Sequence, residues 1–247
     1  MAPMKNTVLF CLAAAALLLS SCTTVNRLDK YNFESSRLAV DMRTPPEPRL
    51  NVDYNVSMDS HSAVISALSV MSNLAKANQA NRAREVMLAA LTDVDVPEII
   101  RTEAFSACAA SLGAEQASSR RGADYILLIS MEEWGIDARS PFSAVSLRVR
   151  LVASLYPVSG GLVPERESAP LGRRDELAWR REVTVDQPAD PEMFGIGNII
   201  GNMVTATVLY NMTEEDLARG FKELASRTAK RVALVLERDL DRARFGE

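Results

Sequence analysis

The sequence predicts an α+β domain in which helices pack on one mainly antiparallel sheet and a long C-terminal helix closes the fold. Three observations carry that expectation. Val145, Leu147, Val149, Leu151, Ala153 and Leu155 alternate with mostly polar neighbours, the period-two pattern of a half-buried strand. Leu217, Phe221, Leu224, Thr228, Val232, Val235, Leu236 and Leu240 recur at three- and four-residue spacings, so a single stripe of one long helix is buried. Tyr125 to Ile129 is apolar without a break, as in a strand covered on both faces. With 47% hydrophobic and 24% charged residues, the chain has a globular composition rather than a disordered or fibrous one.

The elements follow in order. Arg37 to Met42 forms a first strand. Thr44-Pro45-Pro46-Glu47-Pro48 then forces an extended or turning path, because each proline fixes φ and restricts its predecessor. Leu50, Val52, Tyr54 and Val56 alternate as a second strand. Asp59 or Ser60 can cap a helix with the stripe Val64, Leu68, Met71, Leu74 and Ala75; Asn78 to Asn81 weakens or ends it, and Val86, Met87, Ala90 and Leu91 resume the pattern. A clearer helix starts at Asp95, with Pro97 in its first turn, where a missing N–H costs nothing. Ile100, Ala104, Cys108 and Leu112 run down one face of it to Gly113.

Beyond Ile129 the apolar phase slips from odd to even positions across Glu132-Glu133, reaching Trp134 and Ile136, which requires a bulge or an edge transition. A further strand runs from Leu177 to Val185, with Trp179 and Val183 on one face. It follows a long loop, Ser159 to Glu176, rich in Gly, Pro and Arg. Thr213 caps the last helix, and Glu214, Glu215 and Asp216 suit the positive end of its dipole. The opposite face carries Arg219, Lys222, Arg227, Lys230, Arg231 and Glu237, read as solvated charges.

Residues 1–21 have the layout of an export signal. Lys5 precedes an apolar core from Thr7 to Leu19, shorter than the ~20 apolar residues of a membrane-spanning helix. Met4, directly before Lys5, is the more usual start for such a signal. Leu19-Ser20-Ser21-Cys22 resembles the bacterial lipobox, an apolar residue and two small ones before a cysteine. The resemblance implies cleavage after Ser21, then thioether lipidation and N-acylation of Cys22. Several acyl chains, each stabilising membrane residence by about 0.8 kcal/mol per buried methylene, make a lasting anchor. Thr23 stands where an aspartate would signal inner-membrane retention in enteric bacteria, so the analogy implies the periplasmic face of the outer membrane. From Thr23 to about Ser36 no sustained apolar period appears. Residues 22–36 are therefore expected to be a lipidated tether, and 37–247 the periplasmic domain.

A second resemblance lies at Arg121-Gly122-Ala123-Asp124-Tyr125, which leads into the apolar strand ending at Ile129. It looks like an element of bacterial envelope accessory lipoproteins: the curli-secretion type, the TolB N-terminal domain type, outer-membrane activators of penicillin-binding proteins, and auxiliary lipoproteins of lipid ABC transporters. In those families a helix precedes the element, two strands follow and a long helix closes the unit, an order covering about 97–240 here. The resemblance implies an accessory role in an envelope assembly. It transfers no functional residue, because no second motif fixes an alignment.

Chemistry-bearing residues are sparse. Losing Lys5 with the signal leaves 27 basic against 32 acidic residues, a net charge of −5 without a basic run, which excludes an electrostatic footprint for nucleic acid. Once Cys22 carries lipid and Cys11 leaves with the signal, Cys108 is alone, so no intramolecular disulfide or cysteine-based zinc site can form. His61, the single histidine, sits between Ser60 and Ser62 beside Asp59, too local for nucleophile, base and orienting acid to converge. Glu132 and Glu133 are adjacent in a strand and point to opposite faces unless a bulge intervenes. No catalytic set, cofactor or metal site is expected.

One segment is left over. Met193 to Met212 has no charged residue and is dominated by Phe194, Ile196, Ile199, Ile200, Met203, Val204, Leu209 and Tyr210. It can be buried on the domain's own sheet, dock a partner or a neighbouring copy, or touch the membrane, although Asn198, Asn202 and Asn211 oppose full insertion. The reading that results is a non-enzymatic binding component of an envelope assembly, anchored through Cys22, with an envelope protein as partner and self-association left open. Its rival is an auxiliary lipoprotein of a lipid or small-ligand transport system.

Overall fold

A mixed seven-stranded sheet frames the chain. The computed structural model describes residues 24–52, 81–138, 145–158, 177–188 and 213–246. In chain order these contain β1 (Val25–Asn26), a 3₁₀ turn (Leu28–Lys30), β2 (Arg37–Met42), β3 (Arg49–Val52), α1 (81–90), α2 (Val96–Leu112), β4 (Glu115–Gln116), β5 (Tyr125–Ala138), β6 (Ser146–Pro157), β7 (Trp179–Pro188) and α3 (Glu214–Phe245). Sheet order is β1-β7-β6-β5-β2-β4, with β3 beside β5. The long ladders, β5 with β6 and β6 with β7, are antiparallel. The N-terminal strands add to them in parallel: β2 lies along the first half of β5 and β3 along the second. The fold is α+β, with parallel additions that periodicity alone did not specify.

Local chemistry sets the element ends. The Asp95 carboxylate accepts a hydrogen bond from Glu98 N at 2.9 Å, Pro97 occupies the first turn of α2, and Gly113 ends the helix in the left-handed region. Thr213 caps α3 by accepting from Asp216 N at 3.1 Å. The Gly122-Ala123-Asp124 stretch is a turn that pins β2. Asp124 accepts from Arg37 N at 2.7 Å, and Asp124 N donates back to Arg37 O at 2.7 Å.

The core lies between the helices and one sheet face. The α3 stripe from Leu217 to Leu240 is buried, as are Ile100, Ala104, Cys108 and Leu112 of α2. They meet Leu127, Ile129 and Met131 of β5, Leu147, Val149 and Leu151 of β6, and Trp179 and Val183 of β7. Burial of each Val, Leu, Ile, Phe or Met side chain among them contributes roughly 1.5–3 kcal/mol. The predicted slip is present: pairing with β6 shifts between Met131 and Glu133, so Trp134 and Ile136 continue the inward face at even positions. Just past the bulge Gly135 has φ of +134°, and a Cβ there would lie 2.0 Å from Arg49 O. Only glycine lets β3 close against β5. The proline-rich path between β2 and β3 is held by Trp134, whose indole N–H donates to Pro46 O at 2.7 Å.

The expected tether differs from what forms. From residue 24 the chain is part of the domain: Val25 and Asn26 pair with Arg180 and Trp179, and Leu28 and Phe33 are buried. Tyr31, Phe33 and Tyr125 form an aromatic cluster, and the Tyr125 hydroxyl donates to Asn32 O at 3.0 Å. The segment has no regular period because it is neither a long strand nor a helix. A few large apolar side chains inserted singly hold it instead. Cys108 is fully buried, and desolvation pushes its thiol up to about 12, so it packs as a small hydrophobe and is not a nucleophile.

Candidate functional site

The sequence-derived site residues fall outside the described residues. These are Cys22, the apolar series Phe194, Ile196, Ile199, Ile200, Met203, Val204, Leu209 and Tyr210, and also His61. The described part nevertheless contains a site that the sequence reading passed over. Among the described residues β1 covers only the first two residues of β7, so from Arg181 onward one edge of β7 has no strand beside it. A cleft of about 560 Å³ wraps that edge.

Three elements furnish its charge. From α3 come Arg231, Arg238 and Arg242, spaced by seven and four residues and so on one side of the helix. From β7 come the neighbours Arg180 and Arg181, which alternate to opposite sheet faces and so bracket the edge. Arg150 of β6 completes the set. Six arginines line the cleft against two glutamates, Glu132 and Glu182, and Thr24 closes one end. The side chains of Arg180 and Arg231 make no ion pair with a described residue.

Asp239 organises the cleft from beneath. Its side chain is fully buried, accepting from the Trp179 indole at 2.9 Å and from Arg181 Nε at 2.5 Å, with Arg242 at 3.9 Å. Its backbone carbonyl accepts from the Asn26 amide at 2.9 Å, so one residue ties α3, β7 and β1 together. Burial pushes the carboxyl up, but the hydrogen bonds from Arg181 and Trp179 and the charges of Arg181 and Arg238 outweigh it and hold the group below the usual carboxylate range. Asp239 is therefore an anion that fixes Arg181 beneath the cleft.

The bulge also changes the reading of the two glutamates. Both reach the same cation: Arg150 lies 3.5 Å from Glu132 and 3.6 Å from Glu133. Adjacent strand residues would diverge, and the shifted register is what lets them converge. Glu133 also accepts from the Asn51 amide at 2.8 Å, so this pair orients Arg150 and braces β3. A neighbouring group, Arg148 with Asp137 at 2.8 Å and Asp186 at 3.4 Å, clamps β5, β6 and β7 and lies outside the cleft. Among the described residues no group of three or more His, Cys, Asp or Glu side chains is placed to hold a metal ion. None of the described helices is long and apolar enough to cross a membrane.

The sequence places Arg231 on the solvated face of α3, Val235 in its buried stripe, and Glu132 and Val183 in strands, and nothing in it brings these residues together. The available signal was the spacing of Arg231, Arg238 and Arg242 on one helical side together with the Arg180-Arg181 pair. What it lacked was any local hint that α3 would lie beside β7.

No family model and no curated protein sequence matches the chain. Among solved structures it is similar to a PelC dodecamer from Paraburkholderia phytofirmans, at 11% identity over 86% of this chain and 92% of that one, with a TM-score of 0.31. It is also similar to protein XCC0632 from Xanthomonas campestris, at 15% identity over 80% of this chain and 85% of that one, with a TM-score of 0.28. Likeness of this degree carries no argument about what the chain binds or does.

Proposed function

We propose that the mature chain is an envelope lipoprotein, held by acyl chains on Cys22 at the periplasmic face of the outer membrane. It acts there without catalysis as a binding component of an envelope assembly. The observation that supports this most is the position of the first described residues. Val25 and Asn26 are strand-paired to β7, and the Asn26 side-chain amide donates to Asp239 O, so a lipid on Cys22 would hold the domain flush against the membrane with little slack. A domain fixed this way presents a constant face to a membrane neighbour. The uncharged 193–212 segment, which connects β7 to α3 in the chain, supplies the apolar contact in this reading.

The test is affinity purification from membranes of the intact protein and of a form with 193–212 replaced by a Gly/Ser linker of equal length. The proposal expects a specific envelope protein with the first and its loss with the second. Partners retained while co-purifying lipid is lost would favour the transport reading. Recovery of only the chain itself would leave self-association as its binding activity.

A further inference from the structure

We propose that the arginine-lined cleft along β7 docks the phosphate groups of anionic phospholipid headgroups in the membrane that carries the anchor; the location of the ligand, though not the chemistry of the cleft, rests on the tethering reading above.

Charge is the first reason. The chain as a whole is acidic, at −4, yet six arginines and two glutamates converge on this one cleft, so its positive character is not a by-product of a basic protein. Asp239 binds Arg181 and approaches Arg242, whereas Arg180 and Arg231 have no described carboxylate to neutralise them. Guanidinium groups present parallel donors that match phosphate oxygens two at a time. The second reason is the base of the cleft: Val152, Val183 and Val235 line it but are almost wholly buried, so the surface a ligand meets is charged, as suits a headgroup and not an acyl chain.

Position selects the lipid over a free anion. Thr24 lines the cleft, and Cys22 lies two residues before it, at most about 7 Å of extended chain. Acyl chains entering the bilayer at Cys22 therefore bring headgroup phosphates to the depth of Arg180 and Arg231. The anchor holds the domain down, and the cleft sets which side of it faces the lipid.

The test uses the full mature chain from residue 22 carrying Cys22→Ser, so that binding does not depend on acylation. Co-flotation is measured with vesicles of phosphatidylcholine alone and with vesicles in which phosphatidylglycerol replaces part of it. The expected result is salt-sensitive binding to the second and little to the first. The pair Arg180→Gln and Arg231→Gln, which breaks no described ion pair, should lower that binding roughly 30-fold, about fivefold for each charge lost near a membrane surface. The pair Arg227→Gln and Lys230→Gln, equal in charge but outside the cleft, should lower it less than about threefold. Circular dichroism and unfolding midpoints verify that both pairs keep the fold. Equal binding to the two vesicles, or equal loss from the two pairs, overturns the proposal. So does binding of inorganic phosphate without binding of vesicles, which would make the cleft a site for a soluble anion. Should native Cys22 prove free of lipid, the tethering reading fails alone, since this assay contains no anchor.

Discussion

Phe221 and Asp239 are both fully buried on α3, and their surroundings have little in common. Phe221 meets Trp134 edge-on, with ring centroids 6.1 Å apart and planes at 78°, inside an apolar core shared by α2, β5 and β6. Asp239 meets an indole N–H and a guanidinium at the margin of an open cleft. The first region is held by area removed from water, which is non-directional and indifferent to pH. The second is held by a charge that must stay ionised and must keep its donors, since a buried charge without them is costly. One helix thus carries a structural end and a recognition end, and the two should respond differently to substitution, acid and salt.

Phe221→Ala should produce the largest loss, about 4 kcal/mol, because it removes a ring from a packed core and leaves a cavity. Urea unfolding would measure it, and the comparison requires that the loss be the same at neutral and at mildly acidic pH. Asp239→Ala should follow at about 3 kcal/mol, since it strands Arg181 and the Trp179 indole together. A loss below about 1 kcal/mol would mean that the cleft is not organised by this residue. Asp239→Asn sharpens the point through pH. The folded carboxyl titrates below its ordinary value of 3.8, so its contribution is present above that pH and lost as pH falls through the lower folded value. Stability of the wild type should therefore drop more steeply than that of Asp239→Asn below pH 3.8; parallel curves would contradict the assigned bonds. Thr213→Ala, at the structural end, should cost about 1 kcal/mol by leaving an N-terminal amide of α3 uncapped. Smallest of all, Arg180→Gln with Arg231→Gln should change stability by less than about 0.5 kcal/mol while weakening vesicle binding, the separation expected of side chains kept for a ligand.

The same contrast explains what the sequence disclosed. The stripes of α2 and α3, the alternation in β6, the slip at Glu132-Glu133 and the caps at Asp95 and Thr213 are local patterns. Each is fixed within a few residues by the 3.6 or 2.0 period or by one side chain and a nearby N–H. What escaped was non-local. Leu38 pairs with Tyr125 and Leu50 with Ile136, so the parallel course of β2 and β3 along β5 joins segments far apart in the chain. Leu28 and Phe33 are core residues in a stretch without period, which is why it read as a tether. Asp239 carries no local signal of its role, which comes only from Trp179 and Arg181, some sixty positions earlier in the chain. Cys22 and the 193–212 segment were legible as motif and composition, and they lie outside the described residues.

The tethering of the domain depends on where the mature chain begins and what its first residue carries. Intact-mass and peptide analysis of the protein extracted from membranes tests this directly. The account predicts a mature N-terminus at Cys22, with a diacylglyceryl group on the sulfur and an acyl group on the amine. A chain beginning elsewhere, or a free Cys22 thiol, would contradict it.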